Sequence, residues 1–303
     1  MTETLLQALF FQAGYNAALV SLGAALLGLA AGAVGAFTTL RRRALVSDAM
    51  AHATLPGIGL AFLAMAALGG DGRALPGLLA GAALSAALGL ILLQALSSRT
   101  RLPEDAATGA ILSAFYGAGI VILTVIQNVG IGRPAGLEGF LLGSTAGMLR
   151  ADALLIALGG ALLLGLLASL RRPLAMTAFD PVHARMMGID TRSTDLMLLL
   201  MTLACVLLGL RVVGLILIVA LLITPALAAR LWSDRIGIVA LLAGLIGAAA
   251  GHVGAALSLA LPDLPTGPAI ILLAFAAFVM SALLAPGRGL LSRLRRAHAR
   301  PGV

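Results

Sequence analysis

In the segment Leu45-Val46-Ser47-Asp48-Ala49-Met50-Ala51-His52-Ala53-Thr54-Leu55-Pro56-Gly57, a carboxylate and an imidazole stand four residues apart in apolar surroundings. On a helix, positions i and i+4 share a face and lie about 6 Å apart along the axis. A carboxylate oxygen from Asp48 and a ring nitrogen from His52 are ligands that suit manganese, iron or zinc. Counting about 1.5 Å per residue from Arg43 puts His52 roughly 13 Å along such a helix, near a bilayer midplane. Ionisable groups at that depth are expensive and by default mark function. Two ligands are too few for a stable site, but two copies facing each other would supply four, enough for an ion in passage. A competing reading makes Asp48 the N-cap of a helix that starts near Ala49, with His52 as a packing residue.

Other candidates are weaker. His252, in Gly251-His252-Val253-Gly254, is a second buried candidate ligand, although a lone His among small residues also reads as a hydrogen-bonded packing group. His183 and His298 are expected in cytoplasmic loops and look unremarkable, and Glu138, expected in an outer loop, reads as solvated rather than as a contact for an external partner. The single Cys205 excludes an intramolecular disulfide and a Cys-rich metal site.

The elements that must carry these residues are membrane helices. Of the 303 residues 61% are hydrophobic and only 11% charged, whereas soluble domains carry about a quarter charged residues. The expected fold is therefore all-α, a polytopic transmembrane bundle occupying residues 1–303 as a single domain. Apolar runs of membrane-crossing length, about 20 residues, fall at 15–38, 54–69, 75–97, 106–127, 152–170, 194–210, 212–230, 236–260 and 267–285, so eight to nine spans are expected. The run 194–230 is split near Arg211, and the short Gly-rich stretch 134–147 suits a re-entrant segment. The pairs Gly32/Gly35 and Gly247/Gly251 suit close helix contact.

All twenty basic residues are Arg, and sixteen of them fall at 39–43, 98–105, 171–192, 230–235 and in the tail 286–303. By the positive-inside rule these segments are expected to be cytoplasmic. The net charge of +8 is thus spread over span ends, with no single basic face for nucleic acid. With no Lys, the chain has no P-loop to reach nucleotide phosphates, so ATP hydrolysis is expected elsewhere. The start Met1-Thr2-Glu3-Thr4 has no basic n-region, so no cleaved leader is expected.

Within 171–192, Asp180 followed by Pro181 reads as an N-cap with Pro at the first helical position, and Gly188 as the stop. The short helix between them, with Met and Ala on one side, looks suited to contact another protein; an interfacial helix on lipid is the alternative.

These residues carry a resemblance. The run Leu40-Arg41-Arg42 with Ala44 through Ile58, built on an Asp-x-x-x-His-Ala-x-x-Pro-Gly core, is similar to the permease subunits of bacterial ABC importers for manganese, zinc and iron. Phe179-Asp180-Pro181 with Ala184 and Gly188, Val213-Gly214-Leu215 through Pro225-Ala226, and Leu264-Pro265-Thr266-Gly267 extend the likeness along nearly the whole chain. Ser47 and Ala51 stand where Gly and Ser are commoner. The resemblance implies a fold like that of the vitamin B12-type importer permease, in a bacterial inner membrane, paired as two copies around a pathway lined by Asp48 and His52. It also implies that 179–190 docks on a cytoplasmic ABC ATPase, and that a periplasmic or lipid-anchored binding protein delivers the ion. No permanently bound cofactor is expected; the metal is cargo.

Two further readings stay open on sequence. A permease for a metal chelate would need no ligands in its path, which Asp48 and His52 oppose, and a stand-alone secondary transporter would have no use for 179–190. An intramembrane enzyme has little support, since neither His-Glu-x-x-His nor Gly-x-Ser-x-Gly occurs.

Overall fold

The computed structural model describes residues 2–70, 72, 74–129, 147–261, 264–286 and 288–292. Glu138, His298, most of the 134–147 stretch and most of the basic tail lie outside the described residues.

Among the described residues every regular element is a helix. The order is α1 (Thr2–Leu9), α2 (Tyr15–Leu40), α3 (Ala44–Ala67), α4 (Leu75–Arg99), α5 (Glu104–Val129), α6 (Arg150–Phe179), α7 (Pro181–Met186), α8 (Thr191–Val212), α9 (Leu215–Arg230), α10 (Ile236–Ala260) and α11 (Thr266–Leu284). Eight of them are long and apolar enough to cross a membrane, and Leu217–Arg230 within α9 adds a shorter apolar helix. The chain is a multi-pass membrane protein.

Lipid is as apolar as a leucine side chain, so bundle cohesion must come from close packing rather than from water exclusion. Helices α2 and α10 supply it at their crossing. A Cβ on Gly28 would meet the Gly247 carbonyl oxygen at 2.1 Å, and one on Gly247 would meet that of Gly28 at 2.2 Å. Gly32 faces the Ala243 carbonyl and Gly251 that of Ala24 in the same way, so backbone rests on backbone over more than one turn. The small-residue faces read from the sequence are thus packing faces. Leu27, Val34 and Phe37 of α2 extend this core to Met201 and Val206 of α8 and to Ile218 and Leu222 of α9. A second cluster joins Val46 and Met50 of α3, Ala86 and Leu90 of α4, Ile111 of α5 and Leu199 of α8.

Three boundaries differ from the hydropathy reading. Helix α3 begins at Ala44 rather than near residue 54, because Ser47, Asp48 and His52 dilute the apolar run without interrupting the helix. Helix α6 continues past Arg171, Arg172 and Pro173 to Phe179, so it projects beyond its apolar stretch and shortens the expected loop. The short α1 falls outside any span and was not expected. The split of the long run is present, but at Gly214, whose φ of 87° opens α9; that left-handed backbone favours glycine.

Candidate metal-translocation site

Asp48 and His52 occupy the first half of α3, whose N-cap is Arg43. Asp48 therefore sits inside the helix and not at its start, and the capping alternative fails on position. The i, i+4 spacing brings His52 Nε2 to 3.4 Å from Asp48 Oδ1, with the imidazole 20% and the carboxylate 35% exposed. Both groups can thus address one cation. The other ring nitrogen, Nδ1, is buried with no hydrogen-bond partner. Buried side-chain atoms without a partner recur at Thr39 Oγ1, Arg41 Nε, Arg43 Nη1 and Thr177 Oγ1.

Two contributors to this site were not read from the sequence. Tyr116 of α5 meets the His52 ring edge-on, centroids 5.0 Å apart at 81°. This contact joins residues far apart in sequence, so no local spacing announces it. Pro56 lies inside α3. With no N–H, it cannot donate to the carbonyl four residues back, which is that of His52. The signal was present in the Asp-x-x-x-His-Ala-x-x-Pro-Gly core, and it leaves one more oxygen at the site without its usual helical partner. Nearby hydroxyls are turned inward: Ser47 donates to Ala44 O at 2.5 Å and Thr54 to Ala51 O at 2.6 Å.

Among the described residues no group of three or more His, Cys, Asp or Glu side chains could hold a metal.

His252, on α10, is placed differently. Its Nε2 donates to the carbonyl of Leu9 at 3.1 Å, and in the neutral ring Nδ1 accepts from the Ser21 hydroxyl. The ring also leans on Phe11, centroids 4.9 Å apart. Both nitrogens are occupied by protein, and the residue ties α1 to α2 and α10.

The 179–190 segment forms as its signals indicate. The Asp180 side chain accepts from the backbone N–H groups of Val182 and His183 at 3.0 and 2.9 Å, Pro181 opens α7, and Gly188 turns with φ 80°. The side assignment needs correction. Ala184 is fully buried in the chain itself, whereas Phe179, Val182, Met186 and Met187 are 64%, 55%, 80% and 64% exposed. The Met and Ala positions face opposite ways, because Ala184 seats α7 on the bundle while the larger side chains point out. Asp190 caps α8 in turn; hydrogen bonds from the Ser193 hydroxyl and then from the backbone N–H groups of Ser193 and Arg192 hold its carboxyl below the usual range.

The chain is similar to known proteins along most of its length. The ABC 3 transport family matches residues 15–285. The manganese transport system membrane protein MntC of Bacillus subtilis is 40% identical over 294 residues, covering 95% of this chain and 66% of that protein. The zinc transport system membrane protein TroC of Treponema pallidum is 38% identical and covers 91% of both chains. PsaBC from Streptococcus pneumoniae, solved in complex with a Fab, superposes with a TM-score of 0.80 at 28% identity, covering 97% of this chain and all of that one.

Proposed function

The chain belongs to the ABC 3 transport family, and from that premise we propose that it is the permease subunit of an importer that moves a divalent transition metal, manganese or zinc, across a bacterial inner membrane. The names of the relatives support the metal. The observation that carries the reading is the Asp48–His52 pair, 3.4 Å apart on a membrane helix with a ring nitrogen left unpaired. A second copy of the chain completes the ligand set. The exposed face of α5, with open space beyond Gly109 and Gly117, supports a close approach of that copy.

The arginine-rich end of the bundle is the cytoplasmic one in this reading, as the positive-inside rule favours. There α7 presents Val182, Met186 and Met187 to a separate ATPase subunit, which hydrolyses ATP because this chain has no Lys and no P-loop. A binding protein on the opposite side delivers the ion. The whole chain acts as one permease unit with a cytoplasmic C-terminal tail.

Reconstitution with the cognate ATPase and binding protein tests this. Isotopic manganese or zinc should accumulate in vesicles only with ATP, and the permease alone should hydrolyse none. Met186→Arg, which places a charge on an exposed apolar side chain without touching the buried Ala184, should release the ATPase from an otherwise folded permease. Metal accumulation without ATP, or full ATPase binding by Met186→Arg, contradicts the corresponding half of the reading.

A further inference from the structure

The arginine-rich end of the bundle holds a closed set of four charges. Arg41 pairs with Asp195 through one terminal nitrogen and donates from the other to the Thr177 carbonyl at 2.8 Å. Arg43 grips Glu104, with Nε 2.7 Å from Oε1 and a terminal nitrogen 3.3 Å from Oε2. Its remaining nitrogen lies 3.6 Å from the Asp195 oxygen that Arg41 also uses. Two positive and two negative charges balance; both arginine side chains and Asp195 are 17–18% exposed, while Glu104, at 38%, reaches solvent. The Arg41–Asp195 pair thus escapes more of the screening that makes surface pairs weak than the Arg43–Glu104 pair does.

The backbone is shaped to hold this set. The α2–α3 turn closes with Arg42 N–H donating to Thr39 O at 3.1 Å and Arg43 N–H to Thr38 O at 2.9 Å. This pairing ends a helix with a left-handed residue, usually Gly. Here Arg42 takes that place, with φ 58°. Its exposed side chain joins no ion pair in the set, while the arginines on either side turn inward.

The positions matter more than the charges alone. Thr177 lies in the last turn of α6, directly before the Asp180 cap of α7, and Asp195 lies in the second turn of α8, directly after it. The chain entering and the chain leaving the exposed α7 are therefore both fastened to the α2–α3 turn. Arg43 is the N-cap of α3, little more than one turn before Asp48. Glu104 opens α5, the helix whose Tyr116 abuts His52. A displacement of α7 thus reaches both walls of the Asp48–His52 site through two guanidinium groups.

We propose that Arg41 and Arg43 are positioning residues that transmit movement of α7 to the metal-binding helix. The proposal rests on the transport reading given above, but it assigns the coupling to residues outside both the Asp48–His52 pair and α7. Charge exchange tests it in the complete permease–ATPase complex in vesicles, with the loaded binding protein added. Wild-type uptake of isotopic manganese or zinc is measured first; its failure would sink the transport reading and not this one.

Given wild-type uptake, Arg43→Glu and Glu104→Arg singly should each lower the metal-stimulated part of ATP turnover by about tenfold, a size typical of coupling between sites. Basal ATP turnover and assembly of the complex should persist. The double exchange re-forms the pair with its signs reversed but sets a carboxylate at position 43 near Asp195, so it should recover part of the stimulation, more than either single variant retains. Where Arg43→Glu does not accumulate, the neutral Arg43→Gln carries the same expectation. Arg42→Gly, which relaxes the left-handed turn and leaves the charge set intact, should couple as the wild type does. Wild-type stimulation in the single variants, or assembled double variants no better than the singles, overturns the proposal.

Discussion

His52 and His252 are both histidines on long apolar helices, each with an aromatic neighbour, and they differ in how their ring nitrogens are partnered. His252 has a partner for each ring nitrogen, Leu9 O and the Ser21 hydroxyl, and an aromatic neighbour in Phe11. Beside it, Gly247 and Gly251 bring α10 against the backbone of α2. His52 has one nitrogen 3.4 Å from Asp48 and the other with no partner, on a helix whose Pro56 withholds a further hydrogen bond. The first region has satisfied its ring nitrogens from within the chain; in the second, one nitrogen faces Asp48 and the other is enclosed without a partner. Ionisable groups on membrane helices are costly, and the two rings differ in whether the chain itself supplies their partners.

The comparison breaks most visibly at His52. His52→Leu keeps the volume and removes the ring, and should lower metal uptake at least tenfold, the loss that removing even a group behind a metal ligand produces. Permease content, checked by immunoblot, should stay normal. In the other region the packing is expected to matter more than the imidazole. Gly247→Val would drive a Cβ into the Gly28 carbonyl, so the protein should fail to accumulate in the membrane.

His252→Ala strands the Leu9 carbonyl and the Ser21 hydroxyl, a destabilisation of about 1–3 kcal/mol, seen as a lower melting temperature with uptake per molecule retained. Tyr116→Ala should reduce uptake by a few-fold through a loosened His52 ring, while Tyr116→Phe, which keeps the edge-on contact, should change little. The smallest effect concerns pH. The Asp190 carboxyl is held below its ordinary 3.8 in the folded chain. Its capping contribution is complete above that value and lost only as pH falls through the lower folded one. Limited proteolysis of the α7–α8 connection should therefore be unchanged from pH 7 to 5, and any loss of uptake in that window arises outside this cap.

Much of the candidate site was legible because it is local. The Asp48/His52 spacing, the Asp180–Pro181 start, the Gly188 stop and the Gly-rich faces of α2 and α10 each lie within one or two helical turns of sequence. The start of α3 was missed because hydropathy counts polar residues against a helix, and here Ser47, Asp48 and His52 are the polar content of one. The end of α6 was missed because Arg171, Arg172 and Pro173 resemble a terminus, although the helix merely leaves the apolar layer there. The direction of Ala184 was misread because a helix of one and a half turns carries too little periodicity to show which side is buried. The contacts of His252 with Leu9, of Tyr116 with His52 and of Arg43 with Asp195 join distant segments. No spacing rule reaches that far, and only the packed helices bring them together.

The central claim, that α3 holds the ion while α10 only fastens the bundle, is tested most directly by Asp48→Asn beside His252→Asn. Both variants replace an ionisable side chain by an amide, and both should be compared at matched permease content in vesicles with ATPase and loaded binding protein. Isotopic manganese or zinc uptake should be absent in Asp48→Asn and remain at no less than about half of wild type in His252→Asn, whose amide can still bond to one of the two groups left behind. Wild-type uptake by Asp48→Asn, or loss of uptake confined to His252→Asn, would contradict the account.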